Sequence, residues 1–494
     1  MIDFLKGEEA AAMTESQLER AIGKRGLEMM RIFMQEHIDG RGPGLCEEEV
    51  RGADGVERTH VRLQKREIET VFGSVEENRV GYGFAGVDSL HPLDAEFNLP
   101  RERYSLELRR RVALEAAASS FEETLETIRG VTGAHIEKRQ IEELTVRAAQ
   151  DFDAFYRLRR TEAGLPGGPI LVISADGKGV VMRPEDLREH TRKAAEAGTR
   201  KMDTRLSKGE KKNRKRMATV AAVYTIAPLV RRPEELIAKN RLHTAELPRP
   251  RPERKRVWAS LEKEPEEVIR EAFEEASHRD PSGEKTWVAL VDGNRDQIRI
   301  LEKTAKKNGR HLTIICDLIH VIEYLWKAGR VFHSESGSEL ESWVEDRLLK
   351  ILEGKAGLMA GGMRRSATRR KLSAEDRKTV DTCAGYLHGH APYLRYDRYL
   401  AQGLPVATGV IEGACRHLVK DRMDVTGARW SLTGAEAVLR LRALKSSHDF
   451  EEYWTFHEAC EHEKNHKNLY AGERIPAVIS PKQNPKRGHL KVIK

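Results

Sequence analysis

The sequence LVISADGKGVVM, from Leu171 to Met182, begins like a buried strand and then meets an acidic side chain. Five mostly apolar residues precede Asp176, and Gly-Lys-Gly follows it at once. Because Asp-Gly is a common signal for a tight turn, one interpretation is a hairpin. The other is that Asp176 is a metal ligand at the tip of a central strand.

Length and composition indicate a folded, water-facing protein of several domains. The chain has 494 residues, 39% of them hydrophobic and 33% charged, and a chain of this length favours about two to four domains. No run approaches the ~20 apolar residues that cross a bilayer. The N-terminal MIDFLKGEEA lacks the basic start and apolar core of a secretory signal. We therefore expect a cytoplasmic protein.

Cysteine usage and net charge narrow the class further. The net charge of +8 suits a polyanionic partner. No two cysteines form a close pair, so neither a zinc knuckle nor a disulfide framework is expected. The five cysteines are Cys46, Cys316, Cys383, Cys415 and Cys460.

The first third of the chain predicts helices around a small sheet. Residues 14–38 have apolar positions at helical spacing, and residues 57–83 alternate polar and apolar side chains as strands do. Three helical segments follow between 104 and 150, with Gly133 in a turn. A short helix, a turn and a further helix are consistent with a helix-turn-helix, and equally with a plain three-helix bundle.

A second region begins after GLPGGP (164–169), which is typical of a linker. Apolar, β-branched runs at 170–175, 217–226, 286–291 and 312–316 predict strands, and helical patterns follow the last two. Strands that alternate with helices favour an α/β layer fold.

The remaining segments complete the predicted organisation. The Pro-rich, basic RPRPERKRVW (249–258) is expected to form an extended surface loop, and residues 408–424 a helix. The predicted domains are an N-terminal helical segment (1–56), a small β region with a helix-turn-helix-like region (57–163), the first part of a core (164–334), a helical insertion (335–403), the rest of the core (404–450) and a basic C-terminal tail (451–494).

Three carboxylates of the second region suggest a metal centre. Asp176 and Asp292 each follow a predicted strand and precede glycine, and Glu412 interrupts a small, apolar helical stretch. Two such aspartates and a glutamate on a facing helix can hold two divalent ions ~4 Å apart. Because the ligands are hard oxygens without a His or Cys cluster, we expect Mg²⁺ or Mn²⁺. A turn at each Asp-Gly and a solvated Glu412 paired with Arg416 are the structural alternatives.

Four stretches in this order carry a family resemblance: SADGKGV, LVDGNRDQ, IICDLIHVIEYLW and GVIEGACRHLVKDRMDVTGARWS. They resemble the RNase-H-like DDE transposases of bacterial insertion sequences, in particular the Kra group, which is related to Mutator-like elements. The resemblance spans roughly residues 60–445. It implies an RNase-H-like mixed sheet core with a helical insertion, preceded by a mainly helical N-terminal DNA-binding region.

The resemblance also implies residue roles. Asp176, Asp292 and Glu412 match the three catalytic carboxylates, which bind Mg²⁺ and catalyse strand cleavage and transfer at terminal inverted repeats. Asp317 competes with Asp292 for the second position, because it too follows a strand and has His320 one turn later. In relatives such an Asp-x-x-His patch lies behind the second aspartate and is not usually a ligand. We rank Asp292 first, and expect His320 to pack.

Basic side chains near these carboxylates are candidates for DNA contact. Lys178 shares the face of Asp176 in an extended segment, and Trp430 is a candidate for stacking on an extruded base, with core packing as its alternative. A solvated loop is the alternative for the basic cluster between two strands. The predicted contacts are Lys178, Lys211, Lys212, Arg214, Lys215, Arg216, Arg416, Lys420, Arg422 and Trp430.

These observations predict a bacterial DNA transposase associated with the nucleoid. It would bind the terminal inverted repeats of its element and target DNA, and act as a homodimer or larger assembly because strand exchange joins two ends. Two alternatives stay open: an RNase-H-like structure-selective nuclease or resolvase, and a transposase-derived DNA-binding regulator without catalysis.

Overall fold

The computed structural model describes residues 1–160, 167–197, 210, 214–237, 250–333, 337–425 and 427–479. The chain forms two compact units. Unit 1 contains Met1–Phe155 and Asp449–Lys494, and unit 2 contains Tyr156–His448. Both α-helices and β-sheets are present, as the sequence predicts.

Unit 1 combines a three-stranded antiparallel sheet with helices. The strands β1 (His60–Thr70), β2 (Gly73–Phe84) and β3 (Val87–Leu90) are adjacent in this order. Residues Thr70 and Gly73 are paired across a two-residue turn, where Gly73 has a positive φ of 120°. The helices of this part are α1 (Ile2–Lys6), α2 (Glu8–Ala11), α3 (Glu15–Arg41), α4 (Pro92–Glu96), α5 (Leu106–Ala118), α6 (Phe121–Val131), α7 (Lys138–Ala148) and α8 (Phe152–Arg159), the last of which crosses into unit 2.

Helices α5, α6 and α7 share one hydrophobic core. Leu108 of α5, Leu125 and Ile128 of α6, and Leu144 of α7 are buried in the same cluster. Ser120 is the N-cap of α6, as its position in the sequence predicts, and accepts a hydrogen bond from the Glu123 amide. The structure therefore contains the three predicted helices. Their shared core is compatible with both a helix-turn-helix and a plain three-helix bundle.

Unit 2 is organised around a five-stranded mixed sheet. Its strands are β4 (Ile170–Val181), β5 (Lys215–Ile226), β6 (Glu253–Ser260), β7 (Thr286–Val291) and β8 (Leu312–Cys316), in the spatial order β6-β5-β4-β7-β8. β4, β5 and β6 pair antiparallel, whereas β7 and β8 run parallel to β4. β7 and β8 are each preceded by a helix, which is the usual connection into a parallel strand.

The prediction that β4 ends at Asp176 is wrong. β4 continues through Asp-Gly-Lys-Gly to Val181, because β5 pairs with it along its whole length, Asp176 lying opposite Val220. Gly177 does not adopt a positive φ, so no hairpin forms there. Asp176 is therefore a half-buried residue within a central strand, and neither a turn residue nor a strand tip.

The prediction of a surface loop at 249–258 is also wrong over most of its length. Residues from Glu253 onward form the edge strand β6, and Val257, Trp258 and Ala259 are buried. The prolines at the start of this stretch favour a loop, but the residues that follow them form a strand whose second half is buried.

Helices cover the sheet and also form the described part, from residue 337, of the predicted helical region at 335–403. The helices of unit 2 are α9 (Glu189–Glu196), α10 (Pro265–Arg279), α11 (Arg295–Lys307), α12 (Leu318–Phe332), α13 (Ser338–Leu352), α14 (Ala356–Arg369), α15 (Ala374–Gly389), α16 (Tyr396–Ala401), α17 (Gly409–Ala414), α18 (Asp421–Met423) and α19 (Leu432–Ser447). A π-helical stretch, Cys415–Lys420, joins α17 to α18.

The C-terminal segment returns to unit 1 as a helix, α20 (Phe450–Asn465), where the sequence predicts only a basic tail. Glu461 of this helix accepts a hydrogen bond from the fully buried Arg109 of α5 at 2.8 Å. His457 lies 2.7 Å from Asp151. Buried polar partners distant in sequence thus hold α20 in place. Among the described residues, no helix combines the length and apolar composition needed to cross a membrane.

Candidate metal centre

Three aspartates lie in one row across the parallel part of the sheet. Ser174 of β4 pairs with Leu290 of β7, so Asp176 and Asp292 both come two residues after this pair. Val291 pairs with Cys316 of β8, so Asp292 and Asp317 both come one residue after that pair. The Asp317 amide donates a 2.8 Å hydrogen bond to the Val291 carbonyl, which continues the strand pairing to this point. The strand register therefore places the three aspartate residues at one level of the sheet.

Asp176 is connected to the glutamate-bearing helical segment by a cysteine. Its Oδ2 atom accepts a hydrogen bond from Cys415 Sγ at 3.1 Å, and its Oδ1 atom one from the Gly177 amide at 2.6 Å. Burial raises the pKa of the Cys415 thiol, and the neighbouring Asp176 charge raises it further. The thiol is consequently protonated at neutral pH and acts as a donor to the carboxylate.

Asp292 lies in a loop that is held by hydrogen bonds from Tyr386 of α15 and from His390, the residue that follows α15. Tyr386 donates its hydroxyl to the Asp292 carbonyl at 2.9 Å, and His390 Nε2 lies 2.8 Å from the Gly293 carbonyl. Gly293 has φ +96°, and a Cβ there would lie 2.8 Å from the Tyr386 ring. Only glycine fits this turn, so here the Asp-Gly pair has the turn function that it lacks at Asp176.

Asp317 is a fully buried N-cap of α12. Its Oδ1 atom accepts from the Ile319 amide at 2.9 Å, and its Oδ2 atom accepts from the hydroxyl of the buried Thr408. Thr408 is the residue immediately before α17, and the Leu318 amide donates to the Val406 carbonyl at 3.0 Å. These bonds fix the start of the glutamate helix against the end of β8.

Glu412 approaches the aspartate row from α17. Carboxylate oxygens of Glu412 and Asp317 and a ring nitrogen of His320 all lie within 4.8 Å of one another. Burial raises the pKa of the half-buried Glu412, and the Asp317, Glu323 and Asp176 charges raise it further, while His320 opposes them. The protein thus holds like charges together and partly desolvated, at an electrostatic cost that a cation relieves.

His320 contributes a nitrogen to the same cluster. Its Nδ1 atom lies 3.5 Å from Asp317 Oδ2 and has no hydrogen-bond partner within the described residues. Asp317 raises the pKa of the His320 imidazole against the opposing effect of burial. Either a proton on His320 or a bound cation can therefore balance the two carboxylates.

This donor set fits a divalent cation. Two carboxylates and a ring nitrogen without a hydrogen-bond partner among the described residues converge from two different elements. Asp176 and Asp292 lie at the same level of the sheet. The premise that no histidine belongs to the cluster is wrong, because the first turn of α12 places His320 beside Asp317. A nitrogen ligand suits Mn²⁺ or Zn²⁺ better than Mg²⁺, which prefers oxygen and water.

Of the three predicted carboxylates, only Glu412 belongs to the close group of ligand atoms among the described residues. Glu412 groups with Asp317 and His320, and Asp176 is tied to the same helical segment through Cys415. Asp292 lies between Asp176 and Asp317 in the row, outside the group of mutually close atoms among the described residues. Sequence reasoning set His320 aside as packing and assigned no role to Cys415. The position of His320 three residues after the N-cap Asp317 was the sequence signal that could have identified it. The contact between Cys415 and Asp176 depends on tertiary structure, so no local sequence signal could have identified it.

The candidate DNA contacts separate by exposure. Lys178 follows Asp176 on the same face of β4, and its charge lowers the pKa of Cys415 against the larger opposing effects, so it lies beside the centre. Arg416 and Lys420 are exposed on the π-helical stretch, Arg416 with 71% of its side chain accessible and 3.6 Å from Asp421. Arg416 and Lys420 therefore reach solvent, whereas Lys178 is half-buried.

Two predicted contacts are contradicted by burial. Trp430 is 5% exposed, donates its ring N–H to the Met423 carbonyl at 3.1 Å and is covered by the Arg422 guanidinium at 4.7 Å. Arg422 is itself 3% exposed. Trp430 therefore packs in the core, and neither side chain presents a surface to a base or a phosphate.

Among the described members of the predicted basic cluster at the start of β5, Arg216 is held by the fold through its side chain. Arg216 donates to the Leu261 carbonyl at 2.8 Å and to the Asp186 carbonyl at 3.3 Å, and these bonds hold it away from a phosphate. Arg214 accepts a hydrogen bond from Met182 through its carbonyl, and Lys215 lies over Gly179. Lys211 and Lys212 lie outside the described residues.

Comparison with models of known protein families gave no match, and comparison with curated proteins gave none either.

Proposed function

We propose that the protein is a DNA transposase that uses a divalent-cation centre to cleave and join DNA strands. The observation that carries the proposal is the convergence of Glu412 with Asp317 and His320 within 4.8 Å, beside the row that continues through Asp292 to Asp176. A partly desolvated group of carboxylates can bind the divalent cations that enzymes use for phosphodiester chemistry, which supports the proposal. The family resemblance of the same stretches agrees with this function.

The mixed sheet supports the RNase-H-like core that the proposal requires. Asp176 lies on the central strand β4, and Asp292 and Asp317 directly follow β7, its parallel neighbour, and β8, the next strand along. Glu412 lies on a helix late in the sequence. The helices between residues 335 and 403 separate Asp317 from Glu412 in sequence but not in space. They thus agree with an insertion into a continuous core.

The protein's own groups have distinct tasks in this proposal. Asp176, Asp292 and Glu412 act as the metal-binding carboxylates, with Asp317 and His320 as additional ligands that the structure adds to the sequence assignment. Bound Mn²⁺, which a histidine ligand favours over Mg²⁺, would activate a water or a 3′-hydroxyl and stabilise the leaving oxygen. Cys415 orients Asp176 through its hydrogen bond, and Thr408 orients Asp317.

In this proposal DNA approaches over three cations near the centre, of which Arg416 and Lys420 are exposed and Lys178 is half-buried. Lys178 on β4 and Arg416 and Lys420 on the π-helical stretch are placed to bind phosphates on either side of the scissile bond. The helices α5 to α7 are the proposed binding region for the terminal inverted repeats. A homodimer or larger assembly would bring the two element ends together.

Cleavage of the element's own terminal repeats tests the proposal directly. We expect Mg²⁺- or Mn²⁺-dependent nicking by the full chain, loss of nicking in Asp176→Ala and Glu412→Gln, and normal nicking in the control Asp296→Ala. Asp296 is 81% exposed and lies four residues after Asp292, so the control removes a nearby carboxylate outside the cluster. Undiminished nicking by Asp176→Ala or Glu412→Gln would overturn the assigned roles.

The same assay separates Asp292 from Asp317 and the transposase from its rivals. Asn substitutions at each position keep the size of the side chain while removing its charge, and the larger loss of nicking identifies the essential ligand. Joining of a 3′ end to target DNA distinguishes transposition from cleavage of branched DNA alone, which a resolvase would show. Repeat binding without any cleavage would indicate a regulator.

A further inference from the structure

The strand β1 lies at one edge of the three-stranded sheet of unit 1. It is the first strand in the order β1-β2-β3, and the residues of its first half are mostly exposed. An exposed edge presents a row of backbone donors and acceptors, which natural proteins usually cover, shorten or interrupt. β1 is 11 residues long and contains neither proline nor glycine. It is therefore suited to pair with another strand.

The register of the hairpin shows which residues of β1 turn their backbone groups outward. Thr70 and Gly73 flank the two-residue turn as a hydrogen-bonded pair, so the even-numbered residues of β1 bond to β2 and the odd-numbered residues point away from it. Glu69 agrees with this alternation, since its amide donates to the Arg103 carbonyl at 2.8 Å and its carbonyl accepts from the Ser105 amide at 2.9 Å. This segment occupies the edge at the C-terminal end of β1.

The rest of the edge is the row formed by Val61, Leu63, Lys65 and Glu67. The backbone amides and carbonyls of these four residues point outward and have no hydrogen-bond partner within the described parts of the chain. A strand laid along this row would satisfy them as β2 satisfies the other edge of β1.

Apolar side chains stand on the same row. Val61 is 57% exposed and Leu63 is 63% exposed. Tyr82 and Val80, which lie opposite them on β2 and on the same face of the sheet, are buried. The buried face of the hairpin thus continues to its edge without cover, and an added strand would bring apolar side chains against Val61 and Leu63.

We propose that β1 pairs antiparallel with β1 of a second copy of this chain, with Leu63 of both copies on the two-fold axis. Because the odd-numbered residues point outward, a symmetric pairing joins odd residues to odd residues, here Leu63 to Leu63 and Val61 to Lys65. Each such pair exchanges two backbone hydrogen bonds. The four side chains of Leu63 and Val61 then meet around the axis, and the two three-stranded sheets become one continuous sheet.

The charges of β1 select this register and this occupant. A two-fold axis at Gln64 would place Arg62 of one copy opposite Arg66 of the other, an axis at Lys65 would oppose two lysines, and an axis at Arg62 would oppose two arginines. With the axis at Leu63, Arg62 faces Gln64 and no like charges are directly opposite. The strand is therefore complementary to itself, which favours a second copy over an unrelated strand.

Sedimentation velocity of the full chain over a concentration series, without DNA or divalent cations, tests the proposal. We expect a reversible equilibrium between monomer and dimer. Leu63→Glu sets two carboxylates opposite each other and removes the central apolar contact, so it should raise the dimer Kd at least about tenfold. Val61→Glu is the matched control, because the same change on the same face meets Lys65 and should keep the dimer Kd within about threefold of wild type.

Two further measurements make the result specific. An equimolar mixture of Leu63→Glu and Leu63→Lys chains should regain association, because unlike charges then meet on the axis. Both Val61 and Leu63 are exposed in the single chain, so their variants should fold normally, as circular dichroism can verify. A monomer at every concentration, or equal dimer Kd values for wild type and Leu63→Glu, would overturn the proposal.

The pairing rests on β1 alone and not on the metal centre. Glu412→Gln, which should abolish nicking, should therefore dimerise as wild type does. Loss of the dimer in Glu412→Gln would contradict the assignment of the interface to β1, whereas unchanged nicking in that variant would contradict only the proposed function.

Discussion

Replacement of Thr408 by valine tests how the glutamate helix is fixed to the aspartate row. The change keeps the shape of the side chain and removes the hydroxyl that donates to Asp317 Oδ2. Asp317 is fully buried and would retain the Ile319 amide at 2.9 Å and His320 at 3.5 Å. A buried carboxylate that has lost a donor cannot turn to water instead.

The expected loss is that of a hydrogen bond to a charged group, about 1.5–3 kcal/mol in the free energy of unfolding. For a unit of this size, the loss corresponds to a decrease of roughly 3–10 °C in Tm. Thr408→Ser is the matched control, because it restores the donor and removes one methyl group, at about 1 kcal/mol. Thermal and urea unfolding without divalent cations measure both variants.

The same unfolding measurements can be repeated with Mn²⁺ present. If Mn²⁺ binds to Asp317, it compensates the carboxylate that Thr408→Val leaves short of a donor, so saturating Mn²⁺ should narrow the gap between the variant and wild type. Equal stability of Thr408→Val and wild type, or equal losses in the Val and Ser variants, would refute the role of the hydroxyl.

Three further predictions concern the surroundings of the centre and unit 1. Gly293→Ala places a Cβ 2.8 Å from the Tyr386 ring at φ +96° and should lower the free energy of unfolding in urea by about 2–5 kcal/mol. The control Gly309→Ala, at φ +61° with no atom within 4 Å, should lower it by about 1 kcal/mol. Similar losses in the two variants would contradict the close contact between Gly293 and Tyr386. Burial lowers the pKa of His466 to about 4 in the folded protein, so its stabilising contribution is present above pH 6.5 and is lost as the pH falls towards 4, by about 2–3 kcal/mol. His466→Gln should remove this part of the pH dependence of the free energy of unfolding. An unchanged pH dependence in the variant would contradict the role of His466. Cys415, whose pKa is raised, should resist alkylation by iodoacetamide until the protein unfolds, as peptide mass spectrometry can show; rapid native labelling would exclude the protonated, buried thiol.

Much of unit 2 could be predicted from local sequence. The short apolar runs that become β7 and β8 are bounded by charged residues, and each is followed by a helical pattern, so both strands were predicted at their observed positions. Glu412 was identified because a charge in a small, apolar helix is unusual. These signals depend on neighbouring residues, which a single sequence displays.

The failures depend on partners distant in sequence. The Asp-Gly preference predicted a strand end at Asp176, but pairing with β5 carries β4 on to Val181. Trp430 is buried under Arg422, and α20 is held by Arg109 of α5. The alignment of three aspartates required the register of β4, β7 and β8, which the sequence does not display.

Anomalous diffraction from crystals soaked in Mn²⁺ tests the central claim most directly. The account predicts a manganese peak at the centre, with Glu412 and at least one carboxylate of the Asp176, Asp292 and Asp317 row as ligands. It also predicts loss of that peak in Glu412→Gln with the fold unchanged. A wild-type map without manganese at this position under saturating Mn²⁺, or a peak that persists in Glu412→Gln, would contradict it.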